Sequence, residues 1–419
     1  MASSITPDIL SYSEQKGHDE PAEESGESSQ GSEHRVKGEP IRPIPRRASA
    51  WRAMNAEDLG IFWCREMYGY DEIFEKARVQ HVDDGCGIAG WENLDKLVSL
   101  YSKYMDNVFR CSPAEIKEVN LIMTRSECAK EADLMLVRDV CDKLKENISR
   151  LTLPETSRIC ATQMMMAQPS PSTDFNACKL FVNTRLNPGT LIFLQRFESM
   201  LLRFLKGKKP SEINYQTLFA EFASIFIITF CPGDMQQMDI FGKKVTSTPD
   251  LRYVKCKDQD VLVATIAEVK KMPKIAGGPP EKRRRLIDED ISDDSDDDDE
   301  EEDSFLSDKL RGQHAAELLL EVSESILPIH EKKRHVLGLT IQGTNVCLTG
   351  LEIDEDHFKQ LQEPVYKELK DEKAMIYHTR SYDMFIKEDR HHLIKILLTL
   401  VKLADNRYLM HLLYPQDKL

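Results

Sequence analysis

The spacing of apolar positions divides the chain into stretches of different grammar. Between Glu131 and Leu151, the side chains Leu134, Leu136, Val137, Val140 and Leu144 recur along one face of a 3.6-residue period and predict a helix. Just upstream, Ser112-Pro113-Ala114-Glu115 has the form of a helix start. It offers a hydroxyl N-cap, a proline at the first helical position, and a glutamate placed to complete a capping box. Ile116, Val119, Leu121 and Ile122 continue it at helical spacing. Asn187-Pro188-Gly189 breaks the chain before another apolar helix over Thr190–Leu205, and a basic break at Lys206–Pro210 precedes a helix over Ser211–Phe230. The pattern from Trp51 to about Ala167 is helical throughout, so residues 50–189 read as an α-helical region. It holds all three tryptophans, and nothing in it suggests chemistry.

Beyond residue 230 the period shortens. Ile240–Val254 reads as an extended, hairpin-like stretch punctuated by Gly242 and by Ser247-Thr248-Pro249. Val261–Ala267 is an uninterrupted run of apolar and β-branched side chains, the mark of a buried strand. A low-complexity insert over 272–306 follows, then a helix from Ser307 to Ser325. Val336–Ile341 and Asn345–Leu351 read as two strands joined at Gln342-Gly343-Thr344, and Glu388–Ala404 as a final helix. Residues 1–49 are rich in Ser, Glu, Gly and Pro, and with 406–419 they read as tails.

Composition changes this picture in two places. The 419 residues suffice for two domains with a sizeable core, and the net charge of −15 is local. Thirteen acidic residues fall between Asp288 and Asp303, and without them the chain carries −2, so it does not repel nucleic acid as a whole. Ten cysteines stand apart, with no CxxC pair and no zinc-ligand spacing. No basic, then apolar, signal segment opens the chain, and no apolar run approaches the ~20 residues of a membrane span, so no membrane partner is expected.

Candidate chemistry lies at the end of the strand Val261–Ala267. Glu268 and Lys270 are two residues apart on it and project from one face. Opposite charges at the end of an apolar strand are costly unless they pair or bind a cation. Asp250 stands 18 residues before Glu268, just after a proline, and an antiparallel or bent pairing of the two stretches would bring the carboxylates together. Two carboxylates and a backbone carbonyl are oxygen ligands suited to Mg²⁺. Ordinary roles stay open: Asp250 as a turn residue, Glu268 in a plain ion pair, Lys270 and Lys271 as a solvated strand end.

The order of helix, extended stretch with Pro249-Asp250, strand with Glu268-Val269-Lys270, helix and two strands resembles the PD-(D/E)XK, or restriction-endonuclease-like, nuclease superfamily over about residues 190–405. The resemblance implies an α/β (α+β) fold, a mixed sheet flanked by helices and preceded here by the α-helical region. It implies Asp250 and Glu268 as ligands of Mg²⁺ or Mn²⁺, the Val269 carbonyl as a third, and Lys270 beside the hydrolytic water. An acidic residue on the preceding helix would be Glu221, with Glu212 as the weaker choice, and a glutamine on the following helix would be Gln313. The function implied is Mg²⁺-dependent hydrolysis of phosphodiester bonds in DNA or RNA. Lys243, Lys244, Arg252, Lys255 and Lys257 lie near the motif in sequence and could bind phosphate. His314, His391 and His392 read as packing or surface residues.

The insert adds an address. Lys282-Arg283-Arg284-Arg285 is a basic cluster of the nuclear-import type, so the expected place is the nucleus, otherwise the cytoplasm, with an import receptor as a partner. Ser292 and Ser295 sit in the acidic run, in a context that suits acidophilic kinases. That polyanion could compete with nucleic acid for basic residues. The alternative function is an inactive nuclease-like scaffold that binds basic proteins through the same acidic loop. Weak modification signals stand at Lys37 and at Arg46-Arg47-Ala48-Ser49.

Overall fold

The computed structural model describes residues 43–77, 89–109, 111–124, 129–151, 186–226, 228–257, 260–271, 306–365 and 374–404. After a 3₁₀ turn at Ala48–Ala50 come α1 (Ala53–Asp58), β1 (Ile61–Met67), α2 (Tyr70–Lys76), α3 (Ala89–Val108), α4 (Pro113–Thr124) and α5 (Glu131–Leu151). Then follow α6 (Asn187–Leu205), α7 (Glu212–Ser224), β2 (Cys231–Pro232), β3 (Gln236–Ile240), β4 (Lys243–Ser247), β5 (Leu251–Lys257) and β6 (Asp260–Lys270). The chain continues through α8 (Asp308–Leu320), a 3₁₀ turn at Val322–Glu324, β7 (Lys333–Gln342), β8 (Asn345–Asp354), α9 (Glu355–Leu361), β9 (Ala374–His378), β10 (Tyr382–Asp383) and α10 (Lys387–Ala404).

Local signals explain most of these boundaries. The capping box predicted at Ser112 forms: Ser112 N–H donates to Glu115 Oε2 at 2.9 Å, and Glu115 N–H donates to Ser112 Oγ at 3.2 Å. α6 ends in a Schellman motif, with Gly207 at φ +77° and bonds from Lys208 N–H to Arg203 O and from Gly207 N–H to Phe204 O. α7 stops at Ser224, short of the Phe230 expected, where Ile225-Phe226 opens a run rich in β-branched residues. Ser307 caps α8, its hydroxyl accepting from Leu310 N–H at 3.3 Å.

The sheet is mixed, in the order β1-β9-β8-β7-β6-β5-β2, with β10 alongside β8. β6 and β7 are parallel and joined through α8, while β5 pairs antiparallel with β6 and β7 with β8. β3 and β4 form a separate hairpin closed at Phe241-Gly242, both at positive φ. One face carries Ala267 and Val269 of β6, Leu337, Leu339 and Ile341 of β7, and Val346 and Leu348 of β8 into a core shared with α3, α4, α5, α6, α7 and α10. The other face is covered by α8. Gly338 lets α8 approach closely, since a Cβ there would stand 2.7 Å from His314 Nε2. Among the described residues no helix is long and apolar enough to cross a membrane.

α6 begins at Asn187, taking in the expected break with Pro188 in its first turn, and two further expectations change. The region 50–189 is not wholly helical, because Ile61–Met67 forms β1, an edge strand parallel to β9, and its helices share the core with the sheet. Residues 43–49 do not belong with the tail. Thr246 N–H bonds to Arg46 O at 2.8 Å, Ala48 is buried, and Ser49 lies exposed in the first 3₁₀ turn.

Candidate active site

The site is assembled at the C-terminal end of β6. The register that pairs Leu251 with Ala267 and Arg252 with Ile266, continued by one residue, sets Asp250 opposite Glu268. Asp250 Oδ2 accepts from Val269 N–H at 2.8 Å. In a strand the N–H and C=O of one residue point to the same flank, so the Val269 carbonyl also faces the Asp250 side. The residue across from it there is Pro249, which has no N–H to donate. Gln216 of α7 holds the turn by donating from Nε2 to Asp250 O at 2.8 Å. Gly233 lets the chain pass against it, since a Cβ there would lie 1.8 Å from Pro249 O. Lys270 Nζ reaches Glu268 Oε1 at 2.5 Å, as their shared face predicts.

α8 supplies the roof. Gln313 and Glu317 of α8 and Glu321, the residue just past its end, recur every four residues along one stripe. Gln313 Nε2 donates to Glu268 Oε1 at 2.5 Å and to Glu317 Oε1 at 3.0 Å. Gln313 is therefore buried against the acidic pair and does not stand out as a nucleic-acid contact. His314, fully buried beside it, bonds through Nε2 to Thr349 Oγ1 at 2.8 Å, and burial pushes its pKa down to about 4.

This concentration of carboxyl groups sets the electrostatics. Burial raises the pKa of Glu268 well above the usual carboxylate range, and neighbouring Glu317 adds to it. Burial raises Glu317 too. Asp250, half-buried, is raised by desolvation against the opposing pull of the Val269 N–H and Lys270. Desolvation alone would lower the pKa of Lys270, but Glu268, Glu212 and Asp250 outweigh it and hold the ammonium above its ordinary value. Among the described residues no nitrogen or hydroxyl donates to Glu268 Oε2 or Glu317 Oε2. Burial thus favours the neutral form of these carboxyl groups, and a bound cation beside them would favour the ionised form.

Among the described residues no group of three or more His, Cys, Asp and Glu side chains is arranged to hold a metal ion. A Mg²⁺ that keeps several waters needs no such cage. Glu268 Oε2, the Asp250 carboxylate and the Val269 carbonyl, which has no N–H across from it at Pro249, are oxygen donors of the kind it takes.

Other expected residues are placed differently. Glu221 pairs with Arg196 at 3.7 Å, and it is Glu212 whose charge acts on Asp250 and Lys270. Arg252 is not available to phosphate. It is 2% exposed and bound to Glu321 at 2.8 Å and Glu324 at 2.7 Å. Lys243 and Lys244 are exposed on β4, Lys255 is half-buried on β5, and Lys257 ends that strand. His391 is exposed and bonds through Nδ1 to Ser102 Oγ at 3.0 Å, and His392 packs against Tyr70 and Tyr382. The import cluster 282–285, Ser292, Ser295 and Lys37 lie outside the described residues.

Gln216, Gly233, Glu317 and Glu321 carry no motif. The one signal for Glu317 and Glu321 is their four-residue spacing from Gln313 inside a run of Ala and Leu. Comparison with protein-family models, with curated proteins and with solved structures finds no match to this chain.

Proposed function

We propose that the chain is a Mg²⁺- or Mn²⁺-dependent nuclease of restriction-endonuclease-like fold that hydrolyses phosphodiester bonds of DNA or RNA. The observation that carries this reading is Asp250 set opposite Glu268, with Lys270 ion-paired to Glu268, at the C-terminal end of β6. The chain order supports it: α7, then β5 and β6 antiparallel, then α8 leading to β7 parallel to β6.

Asp250, Glu268 and the Val269 carbonyl would hold the ion, which when bound supplies Lewis-acid stabilisation of charge on the phosphoryl group. The Val269 N–H orients the Asp250 carboxylate, and Gln313 orients that of Glu268. Lys270, kept as an ammonium by the surrounding carboxylates, orients the attacking water and offsets negative charge on the substrate. Lys243 and Lys244 are exposed cations for the phosphate backbone, and the import cluster would direct the chain to the nucleus.

The test is cleavage of labelled single- and double-stranded DNA and RNA in Mg²⁺, in Mn²⁺ and in EDTA. Wild type should cut only with metal, and Asp250→Ala and Lys270→Ala should each lose activity. Cleavage that survives both substitutions contradicts the assignment. A folded wild type that binds Mn²⁺ and cuts nothing favours the inactive scaffold.

A further inference from the structure

Gln313 and Glu317 stand one helical turn apart on α8 and close over the Glu268 carboxylate. The amide nitrogen of Gln313 is shared between Glu268 Oε1 and Glu317 Oε1. Glu317 is 1% exposed and lies among Ala315, Ala316, Leu318 and Leu319, all of them buried without exposure. A leucine would fill such a position without the desolvation cost of a carboxyl group. Nor does an ion pair explain the glutamate. Among the described residues no nitrogen or hydroxyl donates to its Oε2, the nearest titratable nitrogen is His314 Nδ1 at 3.8 Å, and Lys270 is bound to Glu268 instead. What Glu317 does supply is a second acceptor for the Gln313 amide, which keeps that amide from rotating away from Glu268, and a polar wall within hydrogen-bonding reach of the Glu268 carboxyl.

We propose that Glu317 is a positioning residue that, through Gln313, fixes the Glu268 carboxylate in the orientation in which it takes a divalent cation together with Asp250. The proposal rests on the metal-dependent reading above. Glu317 acts through Glu268, as the outer partners of metal-binding carboxylates generally do.

Mn²⁺ titration of the full chain by calorimetry tests it, with thermal melts of the metal-free proteins beside it. Glu317→Leu should weaken Mn²⁺ binding about 10- to 100-fold, the usual effect of losing such a partner. Its metal-free melting temperature should stay level or rise, because a buried carboxyl group without a counter-charge has been removed. Glu317→Gln should bind close to wild type, since its amide oxygen still accepts from Gln313 and its amide nitrogen can donate to Glu268. Equal weakness of the Gln and Leu variants would overturn the positioning role and make Glu317 itself a ligand. If Mn²⁺ binding is lost in Asp250→Ala but Glu317→Leu binds like wild type, the proposal fails and the metal reading stands. If wild type shows no Mn²⁺ binding that depends on Asp250, both fail. Should Glu317→Leu not fold, Gln313→Leu takes its place: a comparable loss supports the proposal and wild-type affinity overturns it.

Discussion

Arg252 sits where a cation near the motif invites a phosphate-binding role, and its surroundings predict a structural one. Consider Arg252→Met, which keeps much of the aliphatic stem and removes the guanidinium. Wild type has charge-assisted bonds from Arg252 to Glu321 at 2.8 Å and to Glu324 at 2.7 Å. Removing Arg252 leaves Glu321, 1% exposed, without its counter-charge, whereas Glu324, 39% exposed, can rehydrate. Asp234, 3.6 Å away and 85% exposed, adds little. Stranding one member of a buried ion pair costs about 3–5 kcal/mol. The single variant should therefore lose about that much stability in urea denaturation followed by tryptophan fluorescence. Replacing both charges should recover most of it, so Arg252→Met combined with Glu321→Met should come much nearer wild type, by about 2 kcal/mol or more. A single variant within about 1 kcal/mol of wild type, with nucleic-acid affinity reduced and its salt dependence flattened, would refute the structural role and return Arg252 to the phosphate-binding set.

Three further outcomes follow from the site. Glu268→Gln should abolish metal-dependent cleavage yet stabilise the metal-free fold, by a melting-temperature rise of about 2–4 °C for each kcal/mol gained. Because burial raises the Glu268 pKa, wild type has this carboxyl's contribution in full below about pH 4.5 and loses it as pH rises, so the gain of the Gln variant should grow from pH 5 to pH 8. A gain independent of pH would contradict the assignment of the shift. Gly233→Ala puts a Cβ 1.8 Å from Pro249 O and should displace the Asp250 turn, costing about 1–3 kcal/mol and the Mn²⁺ affinity, both checked by melting and titration. Ser112→Ala removes the α4 cap and should cost about 1 kcal/mol in denaturation without effect on cleavage.

Much of the fold was legible where local chemistry decides it. The Glu131–Leu151 period gives α5 with the bounds read from the sequence, and Gln342-Gly343-Thr344 marks the β7–β8 turn, with Gly343 at φ +64°. Strand alternation alone puts Glu268 and Lys270 on one face, whereas Asp250 comes beside Glu268 only through the antiparallel register of β5 and β6. What stayed hidden depends on distant partners. β1 holds its place by pairing with β9, more than 300 residues later. Arg252 looks like any exposed cation until α8 lays Glu321 over it. Glu221 and Glu212 lie on the same helix, and only the packing of α7 shows which one acts on Asp250.

Whether Asp250 and Glu268 hold a metal ion is tested most directly by the anomalous scattering of a crystal soaked in Mn²⁺. A Mn²⁺ peak should stand against the Asp250 and Glu268 carboxylates and the Val269 carbonyl, with Lys270 Nζ beside it. A Mn²⁺ concentration that supports cleavage but leaves this position empty, or a peak held by other residues, would contradict that assignment.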